Sequence, residues 1–161
     1  MKLKFVYVIL LLSGLLLFSQ SKGKVIKVKD GDTIVVLLGN NQQETLRLAE
    51  VDCPENGQAF GKNAKQFTSS QVFGKKVMFY RTGKDRYKRT VAKIFYDKDK
   101  YLSAEIIKSG WGWWYFKASK NIELKNYELE ARSSKAGLWK DSNAISPWDF
   151  RKNKKKKKEV L

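Results

Sequence analysis

Two acidic clusters in this chain have the residue types that bind a divalent cation. The first is Asp30-Gly31-Asp32 in VKDGDTIVV, and the second contains Asp52 and Glu55 in RLAEVDCPE. A hairpin turn needs Asp-Gly only once, so turn formation does not explain Asp32. Carboxylate and backbone oxygens are the ligands that calcium and magnesium prefer. We therefore predict a cation site with Asp32 as a ligand and Asp30 as a support for the turn, provided that the fold brings the two clusters together.

A third segment, KDRYKR from Lys84 to Arg89, adds several cations and a tyrosine. The three segments together would supply a metal site, a free carboxylate and two arginines. Arginine binds phosphate oxygens through two parallel hydrogen bonds, a metal ion neutralises negative charge, and a carboxylate such as Glu55 can activate water. These are the components of phosphoryl transfer, and none of them is a histidine, which the chain lacks.

Each motif alone has a simpler interpretation. An isolated D-G-D is usually a turn, and D-x-P-E is more often a loop or the start of a helix. Asp85 with Arg86 or Arg89 can form a surface ion pair that contributes less than about 1 kcal/mol. The order of the three motifs at strand ends of one small domain is what favours a site.

Composition narrows the possible functions. The formal net charge of +17 over 161 residues indicates a polyanionic partner, and we favour nucleic acid over an anionic membrane, although charge alone does not decide between them. The absence of histidine excludes Ser-His-Asp hydrolysis and histidine-ligated zinc. Cys53 is the single cysteine, so an internal disulfide is excluded. The length fits one domain with a hydrophobic core.

The N-terminus has the pattern of a secretory signal over residues 1–21. Lys2 and Lys4 precede an apolar run that ends at Phe18, and Ser19-Gln20-Ser21 supplies small residues for cleavage after Ser21. This predicts a secreted or periplasmic protein. The apolar run is shorter than the roughly 20 residues of a bilayer span. An uncleaved membrane anchor is the alternative.

Hydrophobic periodicity predicts three strands over residues 24–48 and then a helix that carries Phe60, Ala64 and Phe67 on one face and ends at Gly74. Two strands, a short helix, an extended WGWWYF segment and a second long helix that stops at Gly137 follow. We predict an α+β, mainly β fold, with a five-stranded OB-type barrel and about three helices. The domain would cover residues 22–150, and RKNKKKKKEVL, residues 151–161, would be a disordered basic tail.

The chain resembles the staphylococcal (micrococcal) nuclease, or thermonuclease, family from about residue 25 to residue 139. The matching segments are DGDT (30–33), RLAEVDCPE (47–55), GQAFGKNAKQF (57–67), DRYKR (85–89) and EARSSKAGLW (130–139), with a Gly-aromatic run after AEIIKSG. Each segment is weak evidence alone, but their order and spacing together are highly specific.

The resemblance implies roles for individual residues. Asp32 and Asp52 would bind calcium through carboxylates, and Cys53, where the family usually has threonine, would add its backbone carbonyl. Glu55 would be the general base or would orient the attacking water, and Arg47 and Arg89 would hold the scissile phosphate. The predicted substrate-binding residues are Tyr87, Lys84, Lys88 and Tyr115.

One position departs from the family pattern. The family loop is usually D-[KR]-Y-G-R, and Lys88 stands in place of its glycine. If that residue needs a positive φ, Lys88 costs on the order of 1 kcal/mol and could displace Arg89. Lys88 could instead contact phosphate. Trp111, Trp113 and Trp114 are expected to pack helices against the barrel, and one of them or Tyr115 could stack on a base.

The resemblance implies a Ca²⁺-dependent, sugar-nonspecific endonuclease that hydrolyses DNA and RNA, leaves 3′-phosphate ends and acts as a monomer. The alternative is a noncatalytic OB-type nucleic-acid-binding protein, which would typically lack the acidic residues and arginines. A third possibility is a surface attachment protein that uses the lysine tail on anionic polymers.

Overall fold

The computed structural model describes residues 20–159. The predicted signal segment lies outside this range except for Gln20 and Ser21, which begin the first strand. The strands are β1 (Gln20–Asp30), β2 (Thr33–Leu37), β3 (Gln43–Leu48), β4 (Val51–Asp52), β5 (Lys76–Lys84), β6 (Thr90–Tyr96), β7 (Lys100–Tyr101) and β8 (Trp113–Trp114). The helices are α1 (Gly61–Val72), α2 (Leu102–Lys108), α3 (Ile122–Ser133) and α4 (Pro147–Glu159), with a 3₁₀ helix at Gly137–Lys140.

Five strands close into a barrel, which confirms the predicted OB-type fold. Antiparallel neighbours follow the order β3-β2-β1-β5-β6, and parallel pairing of β3 with β6 closes the ring. Apolar side chains from alternate positions fill the interior, as in a strand with one buried face. Ile34, Leu46, Phe79 and Ile94 are fully buried there. The prediction of three strands, a helix and two strands matches this core.

Short elements at one end of the barrel position the chain between β3 and α1. β4 pairs with β8, so that Asp52 lies opposite Trp113. The predicted extended segment around WGWWYF is therefore a short strand that supports the second acidic cluster. On α1, Ala64 and Val72 are buried, and the Thr68 hydroxyl donates to the Gly31 carbonyl at 2.6 Å. This bond ties α1 to the first acidic cluster.

The prediction that Gly137 stops the long helix is wrong. α3 ends at Ser133, and Lys135 adopts the left-handed conformation that follows many helix ends, with φ of 52°. Gly137 instead begins the 3₁₀ helix and lies against Gly110, where a Cβ would be 2.4 Å from the Gly110 carbonyl oxygen. The glycine is required by this close approach.

The C-terminal segment also differs from its prediction as a disordered tail. Residues Pro147–Glu159 form α4. The Ser146 hydroxyl contacts the Asp149 carboxylate at 2.6 Å and accepts from the Asp149 backbone N–H at 3.3 Å, and Pro147 suits the first helical position. Because lysine runs are typical of disordered tails, the helix start at Ser146 was not predicted. Within residues 20–159, no helix has the length and apolar character needed to span a membrane.

Candidate active site

Three turns meet around one cleft of about 1040 Å³ at the end of the barrel. They are residues 30–32 between β1 and β2, residues 52–55 after β4, and residues 84–89 between β5 and β6. The predicted site residues that line the cleft are Asp30, Asp32, Arg47, Asp52, Cys53, Glu55, Lys84, Tyr87, Arg89 and Tyr115. Lys88, which was predicted to contact substrate, is exposed on its loop and is not a lining residue.

Gly31 allows the two acidic clusters to meet. A Cβ at this position would lie 2.6 Å from the Cys53 Cβ and 2.9 Å from the Ala64 Cβ, closer than carbon atoms can pack. With glycine in place, the Cys53 backbone N–H donates to Asp32 Oδ2 at 2.7 Å. Asp30 accepts from the Asp32 backbone N–H at 3.1 Å and so supports the turn. Asp32, which is surplus to the turn, points at the second cluster.

Arg47 joins the two buried carboxylates. Asp32 is 6% exposed and Asp52 is 2% exposed, and Arg47 Nη2 lies 3.2 Å from Asp32 Oδ2 and 2.9 Å from Asp52 Oδ1. Arg47 Nη1 donates to the carbonyls of Leu48 and Val51 at 2.8 and 2.9 Å. Burial by itself would lower the pKa of Arg47, but the two carboxylates outweigh that effect and raise it.

Three carboxylates, those of Asp30, Asp32 and Asp52, lie close enough to affect one another at the floor of the cleft. Burial raises the pKa of Asp32 to about 7; Arg47 opposes this, while Asp30 and Asp52 add to it. Burial also raises the pKa of the Cys53 thiol, so this sulfur stays protonated and unreactive. A further cation beside Asp32 and Asp52 would relieve the repulsion between their carboxylates.

The donor set fits a hydrated hard cation. Among residues 20–159, no group of three or more histidine, cysteine or acidic side chains is placed to hold a metal. If Asp32 and Asp52, the two buried carboxylates at the cleft, were ligands, backbone carbonyl and water oxygens would have to complete the shell. Calcium and magnesium accept such mixed oxygen sets.

The Lys84–Arg89 loop presents Arg89 to the cleft. Asp85 accepts from the Arg89 backbone N–H at 2.9 Å and pairs with Arg89 Nε at 2.6 Å. Burial would raise the pKa of Asp85, but the hydrogen bonds from Arg89 lower it. Lys88 does adopt the left-handed conformation, with φ of 62°, yet Arg89 is not displaced and its Nη1 lies 3.4 Å from Thr33 Oγ1.

The aromatic residues divide between core and cleft. Trp113 is buried and packs edge-on against Trp139 at 5.0 Å, and Trp111 and Trp114 are partly buried against the core. Tyr115 is the predicted aromatic of this segment that lines the cleft. Its backbone N–H donates to the Glu50 carbonyl at 2.9 Å, which fixes its position beside the second acidic cluster.

The sequence did not predict that α4 forms one side of the cleft. Arg151 Nη2 pairs with Asp52 Oδ2 at 2.7 Å, and Arg151 Nη1 pairs with Glu55 Oε1 at 2.5 Å. Trp148, Lys152 and Lys155 of α4 also line the cleft, as does Lys117. Arg151 stands 99 residues after Asp52 in the chain, and no spacing rule relates them. The available signal was the Ser-Pro-x-Asp helix start at Ser146, which places a helix before the lysine run.

Comparisons with known proteins identify the family of this chain. The family model described as "Staphylococcal nuclease homologue" matches residues 45–141. A Haemophilus influenzae protein named "Uncharacterized endonuclease" is 39% identical over 91% of this chain and 86% of its own length. The Shigella flexneri "Micrococcal nuclease" is 35% identical over 86% of this chain and 84% of its own length. The Arabidopsis thaliana "Staphylococcal-like nuclease CAN1" is 39% identical over 68% of this chain and 34% of its own length.

Proposed function

Since the chain belongs to the staphylococcal nuclease family and is an endonuclease, we propose that it hydrolyses phosphodiester bonds of both DNA and RNA with calcium as its cofactor, leaving 3′-phosphate ends. The observation that carries this proposal is the pair of buried carboxylates, Asp32 and Asp52, with Arg47 beside them and Arg89 across the same cleft. Such a site holds a cation and a phosphate together.

The cation would be held by Asp32, Asp52 and the Cys53 backbone carbonyl, with water as further ligands. When bound, calcium supplies positive charge that neutralises the phosphate oxygens. Gly31 and Thr68 keep the Asp32 turn against the Cys53 turn, so that the carboxylates are in place before the cation arrives.

Glu55 is the candidate general base. Its carboxylate lies at the cleft and is partly exposed to water, and its backbone N–H donates to Gln58 Oε1 at 3.0 Å, which holds the turn that carries it. Once its ion pair with Arg151 opens, Glu55 can take a proton from, or orient, a water molecule that attacks phosphorus. Arg47 and Arg89 stabilise the negative charge that develops on the phosphate oxygens.

The rest of the cleft suits a polyanion of any sequence. Lys84 and Lys117 surround it with positive charge, and Tyr87 and Tyr115 offer aromatic faces to bases. Because phosphate contacts dominate such binding, affinity should fall steeply with salt. On the basis of its N-terminal signal pattern, we propose that the protein is secreted or periplasmic. We also propose that it acts as a monomer.

The test is digestion of plasmid DNA and of RNA by the purified chain, with calcium or with EGTA, beside Glu55→Gln. We expect cleavage of both substrates with calcium, none in EGTA, and turnover reduced about 10²–10⁴-fold in Glu55→Gln with DNA binding retained. Glu130→Gln, an exposed acid on α3, is the matched control and should cleave normally. Unchanged cleavage by Glu55→Gln would reject its role, and DNA binding without cleavage by the wild type would support the noncatalytic alternative.

A further inference from the structure

Arg151 of α4 contacts the same carboxylates that the cation and the water would use. Both of its terminal nitrogens reach Asp52, Nη2 to Oδ2 at 2.7 Å and Nη1 to Oδ1 at 3.3 Å. Nη1 also pairs with Glu55 Oε1 at 2.5 Å. With Arg47 Nη2 at 2.9 Å from Asp52 Oδ1, both oxygens of Asp52 are contacted by guanidinium groups.

We propose that Arg151 competes with the divalent cation for Asp52, so that the C-terminal helix α4 sets the affinity of the site for calcium. The proposal rests on the calcium site proposed above. A divalent cation that coordinates Asp52 approaches the oxygens that Arg151 contacts, and two positive groups at that distance repel each other. Arg47 is fixed by two backbone carbonyls and contacts Asp52 Oδ1, whereas Arg151 contacts Oδ2 from an exposed helix. Cation entry at Oδ2 therefore requires Arg151 to leave, which also frees Glu55 for water.

The attachment of α4 is suited to such an exchange. Side chains from residue 152 to residue 157 are exposed, and five of these six residues are lysines, which repel one another along a helix. The Arg151 side chain is itself 32% exposed. Near the start of the helix, Trp148 lies 6.0 Å from Tyr115 and 5.7 Å from Phe116, between ring centroids. Trp148 and Arg151 thus attach the first turns of the helix to the cleft.

A second contact links the same turn to the segment before α4. The Gln58 side chain accepts from the Glu55 backbone N–H at 3.0 Å and donates to the Ile145 carbonyl at 2.7 Å. The Gln58 side chain therefore links the turn that carries Glu55 to the segment that leads into α4. α4 lies beyond residues 45–141, the part of the chain that the family model matches. The competition is thus a property of this chain's C-terminal segment.

The test is calorimetric titration of calcium into the full-length chain without nucleic acid, comparing wild type, Arg151→Gln and Lys156→Gln. Lys156→Gln removes the same charge from an exposed position of the same helix that does not line the cleft. We expect Arg151→Gln to lower the Kd for calcium about tenfold, since the charged hydrogen bonds no longer have to be broken. Lys156→Gln should change it by less than about twofold at about 0.15 M salt. An unchanged or higher Kd in Arg151→Gln overturns the proposal.

Hydrogen exchange on the wild-type chain tests the same point without a variant. Calcium should accelerate exchange of the α4 backbone amides, because release of Arg151 loosens the helix. Slower or unchanged exchange overturns the proposal. Cleavage assays on the same samples separate the two hypotheses: calcium-dependent cleavage with equal Kd values rejects the competition and leaves the nuclease function intact. Absence of calcium binding to every variant rejects both the competition and the calcium dependence.

Discussion

The two arginines proposed to hold the scissile phosphate, Arg47 and Arg89, are fixed in opposite ways. Arg47 projects from β3 of the barrel with a side chain that is 13% exposed, and it contacts two carboxylates and two backbone carbonyls. Arg89 ends the Lys84–Arg89 loop with a side chain that is 34% exposed, and its partners are Asp85 and, at 3.4 Å, Thr33. One arginine is built into the fold and the other is carried by a surface loop.

Because of this difference, substitutions at the two arginines should have different effects on stability and on catalysis. A buried charge that loses its partner is costly, whereas an exposed ion pair contributes little. Substitutions at Arg47 should therefore damage both folding and turnover, while substitutions at Arg89 should affect mainly turnover. Arg89 is also more able to adjust to a substrate phosphate, because its contacts are partly exposed to solvent.

Arg47→Gln should have the largest effect. Removal of the guanidinium leaves Asp32 and Asp52 facing each other in a buried site, so we expect a loss of roughly 3 kcal/mol in unfolding free energy. Turnover should fall about 10³-fold, because a charged donor to the phosphate is lost. Urea denaturation and plasmid cleavage measure the two effects. Calcium should restore part of the stability, and a variant as stable as the wild type without calcium would contradict the structural role of Arg47.

Arg89→Gln is the matched change in the loop and should have the intermediate effect. We expect turnover to fall about 10²-fold, since one donor to the transition state is removed. The unfolding free energy should change by less than about 1 kcal/mol, because the pair with Asp85 is partly exposed. The same two assays apply. A stability loss as large as that of Arg47→Gln would remove the distinction between the two arginines.

Lys88→Gly should have the smallest effect. Lys88 has φ of 62°, a conformation that costs a side chain about 1 kcal/mol and costs glycine almost nothing. The variant should gain about 1 kcal/mol or less in unfolding free energy, because glycine also adds freedom to the unfolded chain. Turnover should be kept or raised, since Lys88 does not line the cleft. A large drop in turnover would show that Lys88 itself contacts the substrate.

The sequence by itself determined the barrel strands, α1 and the residue types of the site. Helical and strand periodicity are local properties, so these elements could be predicted from them. The carboxylates Asp32, Asp52 and Glu55 indicated a cation and an activated water, and the arginines indicated a phosphate.

Tertiary structure alone decided how these groups meet. Whether Gly31 served a turn or a close approach depended on the packing of Cys53 and Ala64 against it. Lys88 was placed outside the cleft by a loop whose conformation its residue types did not reveal. Arg151 reached Asp52 because α4 packs across the cleft, and a contact between residues 99 apart depends on how whole elements dock, which no local pattern records.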